Sequence, residues 1–323
     1  MRAECLAETP ARHASRRTRF AVERCTWGNV HETDITPSWV GGDGTFTDGV
    51  DETGREVLLR AFSPESAAYA SPLRSVETMM RAAGRHGLAP KVLALAEGSI
   101  VMERVPATWR SAKLDDLADP VVLSAILTQR RRMHGVSLQE TPDVVRRSIV
   151  ADMFGMRDRC VEEGVALPRR SDETLRLLRP FFDKAEFFRE GPVACHGDGA
   201  ASNVLVNVDA TGQLLSAPLL TGWTLSGVMD PVEEAGSVLA ETGPFVGLGK
   251  AEILKVLGIP LRLLPVAEAY AVVDDLLWGY IGLWRSAVSA DRSIDYAKYG
   301  LWRLEKSGCQ LRSSGLAEWL GRL

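Results

Sequence analysis

The chain has 323 residues, 46% of them apolar and 25% charged, with a net charge of −4. That length fits two lobes of ordinary size, with enough apolar surface to fold without a disulfide or metal staple. The acidic balance argues against nucleic acid as a partner, no run of eighteen apolar residues predicts a membrane span, and five scattered cysteines (Cys5, Cys25, Cys160, Cys195, Cys309) with no C-x-x-C pair point to a reducing cytoplasm.

Residues 1–34 show no clear period and read as a mobile extension with at most a short strand near 19–24. Their polar, Arg-rich start lacks the apolar core of a secretory signal. From 35 the pattern turns β-like. Runs at Ile35–Val40, Thr45–Val50 and Glu56–Phe62 predict an antiparallel meander, with Gly41, Gly42 and Gly44 in the first hairpin and a turn at 52–54. "SPLRSVETMMRAAGRHG" predicts a helix capped by Ser71, with Pro72 in its first turn and Gly87 at its exit. Leu73, Val76, Met80 and Ala83 form its apolar stripe. Glu77 falls within that stripe, so it either finds a partner or meets water at the stripe's edge. "KVLALAEGSIVMERV" predicts two strands joined at Glu97-Gly98, and Pro106 marks a lobe boundary. Beyond it, helices are expected at about 117–135, 141–163, 171–189, 231–242, 248–257, 262–289 and 293–306, around one β-rich island at 193–223. The fold expected is α+β and two-lobed. It comprises an extension (1–34), a small sheet-rich N-lobe (35–105) and a large, mainly helical C-lobe (106–323).

The chemistry concentrates in "HGDGAASNVLV", residues 196–206. Asp198 and Asn203 stand five apart across a small, flexible Gly-Ala-Ala-Ser, and an apolar strand follows. Such a loop brings a carboxylate and an amide oxygen to one side of a cleft. Phosphoryl transfer uses that pair, the carboxylate to accept the proton of an attacking hydroxyl and the amide to ligate a metal. His196 would brace the loop. Glycines in "VGGDGTFTDGV" let backbone N–H groups approach phosphates, although Asp43 and Asp48 would repel them. His134 and His196 lack a third metal ligand at suitable spacing and read as structural. Asp230 reads as a helix cap. Glu233-Glu234 and Asp274-Asp275 read either as lures for a cationic substrate or as solvated helix faces.

The loop resembles the H-G-D-x-x-x-x-N signature of the aminoglycoside phosphotransferase and choline kinase family, relatives of the protein kinases. "WTLSGVMDP" (223–231) looks like the family's W-E-x-A-G-x-G-D-P run. "LTQRRRMHG" (127–135) resembles a helix ending in Leu-His, with Met133 replacing Leu. "LLRAF" resembles the third strand, and "GLAPKVL" and "IVMERV" resemble the approach to the interlobe hinge. The resemblance spans about 35–240 and implies a protein kinase-like fold using ATP and Mg2+. It implies Asp198 as base, Asn203 as metal ligand and Arg60, paired with Glu77, as phosphate contact. Gly41, Gly42 and Gly44 would cover the phosphates, and the backbone at Met102 and Glu103 would meet adenine.

One departure is damaging. The family's metal-binding aspartate aligns with Gly222, and the next acidic position is Thr224. The hydroxyls of Thr221 and Thr224 and the carboxylate of Asp209 are weak substitutes, since magnesium prefers carboxylates with phosphates and waters. Two functions follow. One is an ATP-dependent phosphotransferase acting on a hydroxyl of a small molecule or of Ser/Thr in a peptide, in antibiotic resistance or natural-product biosynthesis. The other is a pseudokinase that holds a peptide or a partner enzyme without phosphoryl transfer.

Overall fold

The structure, a computed structural model, describes residues 24–32, 44–96, 98–138, 143–242, 246–291, 294–313 and 315–323. The N-lobe is a five-stranded antiparallel sheet of β1 (Thr26–Glu32), β2 (Gly44–Val50), β3 (Glu56–Phe62), β4 (Val92–Ala96) and β5 (Ser99–Glu103), in the order β1-β2-β3-β5-β4. Side chains alternate between its faces. Val57, Leu59, Ala94 and Val101 bury one face, while Phe46, Asp48, Leu58, Arg60 and Met102 look into the interlobe cleft. Among the described residues the sheet starts at Thr26, within the stretch expected as an extension, and the strand expected near 19–24 lies almost wholly outside the described residues. β1 is an edge strand whose Val30 is largely exposed, which is why it carries so weak an apolar period. The run expected at 35–40, with Gly41 and Gly42, lies outside the described residues. Gly44 is the first residue of β2, paired with Phe62, rather than part of the hairpin loop.

Helix α1 (Leu73–Arg85) packs beside the sheet with Val76, Met80 and Ala83 buried, as the stripe predicts. Its N-cap is Pro72, with no side-chain cap. Ser71 instead stitches the start of the helix to the C-lobe. Its N–H donates to Thr224 O (2.8 Å) and its hydroxyl to Ser226 O (2.7 Å).

The C-lobe runs β6 (Trp109–Ser111), α2 (Leu114–Ala118), α3 (Pro120–His134), α4 (Ile149–Glu162), α5 (Arg169–Lys184), β7 (Val193–Cys195), β8 (Val204–Asn207), β9 (Leu219–Leu220), β10 (Gly227–Met229), α6 (Pro231–Thr242), α7 (Lys250–Leu257), α8 (Leu264–Val288), α9 (Tyr296–Ser313) and α10 (Leu316–Leu320). The single helix expected over 117–135 is two. Asp119 accepts from Val121 N (2.7 Å) as a new cap, and Pro120 opens α3. The helix expected from 141 begins only at Ile149. Before it the chain runs against β10, with Arg147 N donating to Val228 O (3.0 Å) and Val228 N to Val145 O (2.9 Å).

Helix α8 is the core of the lobe, buried from Ala269 to Arg285 at every position. Among the described residues no helix is long and apolar enough to cross a membrane. Asp274 and Asp275 lie inside this helix, neither on a solvated face nor open to a ligand. The fully buried Arg303 bridges Asp274 (2.8 Å), Asp275 (2.8 Å) and Glu241, and Lys306 adds a second cation at Asp275 (3.0 Å). Burial lifts Asp274 to a pKa of about 7.

Candidate active site

The strand β7 leads into His196, Gly197 and Asp198, all buried and none of them lining the interlobe cavity itself. The turn at 201–203 then brings Asn203 back beside Asp198 before β8 leaves. Asp198 is buried. Its Oδ1 accepts from Ala200 N (2.9 Å) and its Oδ2 from Asn203 Nδ2 (2.8 Å). Burial raises its pKa to about 7. The Ala200 N–H and Arg130 oppose that rise, and the nearby Glu241 and Asp274 reinforce it. His196 is fully buried, edge-on to Trp223 (centroids 4.7 Å apart), with Nε2 against Thr221 O and Nδ1 3.1 Å from Asp198 O. Burial and the Arg130 charge lower its pKa to about 4. The ring is neutral, with a backbone carbonyl at each nitrogen, those of Thr221 and Asp198. It braces the loop and does not titrate near neutrality.

Two braces lie where the sequence suggests something else. Glu234, read as a lure or a solvated residue, is fully buried. Its carboxylate accepts from His196 N (2.8 Å), Gly197 N (3.1 Å), Arg130 (3.3 Å) and His134. Burial alone would raise its pKa, but His134 and Arg130 pull it down to about 2. Arg130 also donates to Asp198 O (2.6 Å), so α3 and α6 grip the loop from both sides. Glu233 is buried as well and accepts from Ile149 N (2.7 Å), fixing the start of α4. The only sequence signals for these roles are the arginine run before His134 and the placement of Glu234 one helical turn past Asp230. Asp230 caps α6 as expected (Val232 N, 2.9 Å) and also accepts from Glu190 N (2.8 Å). His134, Cys195 and Glu234 bring donor atoms within 4.8 Å of one another. With the Arg130 guanidinium bonded to the same carboxylate, the cluster suits a brace better than a cation site.

Between the lobes lies a cavity of about 300 Å³. Phe46, Leu58, Met80 and Met102 line it above, Glu103 to Ala107 along the hinge, and Ser202, Asn203, Leu205 and Leu220 to Trp223 below. Its dimensions and its apolar lining with few polar groups suit a nucleobase with attached phosphates. Met102 lines the cavity. Glu103 lines it too, although its N–H is spent on Lys91 O (2.9 Å) and that of Arg104 on Glu56 O (3.3 Å).

Arg60 reaches the same cavity, but its expected partner is elsewhere. Glu77 pairs with Arg81 (2.8 Å), one turn along its own helix. Arg60 crosses the cleft to donate to Thr224 Oγ1 (3.0 Å), and its guanidinium stacks on Phe62 (4.5 Å) and faces Phe46 (5.8 Å). The pairing inferred from the stripe fails because an i,i+4 arginine reaches Glu77 at less cost than a guanidinium from another element.

At the position where the resemblance expects a metal-binding aspartate, Gly222 adopts a left-handed conformation (φ 67°). A Cβ there would collide with the amide of Asn203, whose Oδ1 fills that volume while Nδ2 is turned to Asp198. The donors present do not fit a magnesium clamp. One neutral amide oxygen is aimed at a glycine, the adjacent carboxylate oxygen is engaged by an N–H, and Thr224 is tied to Arg60. Asp209 is no substitute, for it sits in a surface turn accepting from Thr211 N (2.8 Å) and Gln213 N (3.0 Å). Gly222→Asp should therefore lose about 1–3 kcal/mol of stability, from the left-handed backbone and the displaced Asn203 amide. A shift of the urea midpoint to lower concentration checks this.

These residues sit in a chain with many structural likenesses. A choline/ethanolamine kinase family protein from Mesorhizobium loti superposes with a TM-score of 0.68 at 18% identity, over 91% of this chain and 92% of that one. The choline kinase LicA from Streptococcus pneumoniae gives 0.67 at 13%, over 89% and 94%. A complex of LicA with AMP gives 0.66 at 12%, over 90% and 93%. At such identities the likeness is one of fold. No curated protein matches the chain in sequence. The model of the phosphotransferase enzyme family matches residues 46–255, about two thirds of the chain, from the second strand of the N-lobe through the catalytic-type loop to α7. By that match, and with the two-lobed kinase-like architecture around Asp198, the chain belongs to the phosphotransferase enzyme family.

Proposed function

We propose that the chain binds a purine nucleotide, ATP, in the interlobe cleft and passes its terminal phosphoryl group to a hydroxyl of a small molecule or of Ser/Thr in a peptide. The observation that carries this reading is Asp198. It is a buried carboxylate bonded to Asn203, which lines the cleft; its pKa is raised to about 7, and Arg130, Glu234 and His196 hold it through the loop backbone. A base with a pKa near the working pH combines availability with proton affinity. In the proposed step the acceptor's O–H proton passes to Asp198 as the oxygen bonds to phosphorus, and the bond from phosphorus to the bridging oxygen of the nucleotide breaks. The cytoplasm is the setting proposed for it. Supporting nucleotide use, the fold neighbour LicA is seen with AMP.

The test is ADP release from ATP with a panel of amino alcohols, aminoglycosides and Ser/Thr peptides. An acceptor that raises ADP release and gains one phosphoryl mass supports the reading. Failure of ATP to bind at all overturns it. Turnover should rise with pH through about 7, because Asp198 is protonated below its pKa and cannot take a proton. An acid limb near 4, seen in a pH–rate profile, would mean that the buried carboxylate is not the base.

A second reading has its own observation. The Asn203 amide packed over Gly222 and bonded to Asp198 favours a pseudokinase that holds a peptide or partner enzyme in the cleft. Saturable ATP binding with no ADP release under any acceptor supports that alternative.

A further inference from the structure

The cleft's charges are few and placed unevenly. Among the described residues, the charged side chains lining it are Asp48, Arg60, Glu103 and Arg104. Asp48 and Arg104 form an ion pair, and Glu103 stands at the hinge, where a base would lie. At the opposite end are Asn203, Thr221 and Gly222, all neutral, together with Arg60; the Asp198 carboxylate does not line the cavity and accepts from the Asn203 amide. Arg60 is almost fully buried. Phe62 and Phe46 hold its guanidinium, and Thr224 fixes it to the far wall of the cleft. The phosphate end thus has a fixed cation and, at positions 222 and 224, no carboxylate.

That changes the role of a divalent ion. Where a phosphate subsite contains carboxylates, a polyphosphate entering it is repelled, and a dication is needed to bridge the like charges. Where the subsite holds a guanidinium and neutral groups, the polyphosphate is attracted directly, and bidentate Arg–phosphate bonding adds geometry. The space in which an acidic side chain would hold the ion is occupied by the Asn203 amide.

From this we infer that the chain binds its nucleotide without a divalent cation, with Arg60 supplying the countercharge. The inference rests on the nucleotide reading above and adds to it the ionic form of the ligand: free ATP rather than its magnesium complex.

Calorimetric titration of ATP into the full chain, once with excess Mg2+ and once with EDTA, tests it. The two dissociation constants should agree within about threefold, a difference below 1 kcal/mol. Weakening of about tenfold or more in EDTA overturns the inference while leaving the nucleotide reading intact. Absence of binding in both buffers removes both. In EDTA, Arg60→Ala should weaken ATP binding by about tenfold or more, with Arg60→Lys recovering part of the loss. An Arg60→Ala protein that is folded by circular dichroism and binds ATP as the parent does also overturns it. Should that variant not fold, the paired wild-type titrations still decide.

Discussion

Glu234→Ala should cost the protein about 3–5 kcal/mol of stability. The carboxylate is fully buried and closes four contacts at once, to the Arg130 guanidinium, the His134 ring and the backbone N–H groups of His196 and Gly197. Its removal leaves Arg130, only 1% exposed, as a buried charge facing a void, and orphans two N–H groups at the base of the Asp198 loop. Losing one partner of a buried ion pair is worse than never having had the pair. Glu234→Gln should lose less, because an amide oxygen can still accept from the two N–H groups. A thermal melt reads the loss as a drop of at least about 5 °C. The sign of its pH dependence is fixed. The Glu234 pKa in the fold, about 2, lies below its ordinary 4.5. The wild-type advantage is therefore whole above pH 4.5 and disappears as pH falls through 2. An alanine variant that melts like the parent at pH 7 would show that the loop holds its shape by other means.

This brace also marks the limit of what the sequence discloses. The catalytic-type loop, α1, the Gly98 turn and the large C-lobe were legible because each is written locally, in a spaced motif, a 3.6-residue stripe or a glycine between strands. Gly98 adopts φ 71°, as such a turn requires. The acidic pairs were misread because their partners are remote. Arg130 is 104 residues from Glu234, and Arg303 is 29 from Asp274. Nothing local distinguishes a carboxylate that meets water from one that meets a buried guanidinium. Glu77 is the opposite case. Its partner, Arg81, is written locally, one turn along the same helix. Gly222 was legible as a departure from the motif. What fills the space beside it was not, since only the folded chain shows Asn203 turning its amide there.

Asp198→Asn should reduce phosphoryl transfer by about 10²–10⁴-fold while leaving ATP affinity within about threefold. The substitution keeps shape. An asparagine Oδ1 can still accept from Ala200 N, and rotation of the Asn203 amide offers an oxygen to the new NH2 in place of the present N–H to Oδ2 bond. What is lost is the proton acceptor. Stability provides an independent check on the raised pKa itself. In the fold Asp198 has a pKa of about 7, above its ordinary 3.8, so between those values the native state binds more protons than the unfolded chain. Wild-type stability therefore falls as pH rises from about 4 through 7, as a buried carboxylate is forced to ionise. The asparagine variant has no such proton to lose. Relative to the parent it should gain stability between pH 5 and pH 8, read from urea midpoints at the two values. A variant that loses ATP binding along with turnover would place Asp198 in the framework of the cleft. One that keeps turnover would assign the proton to another group.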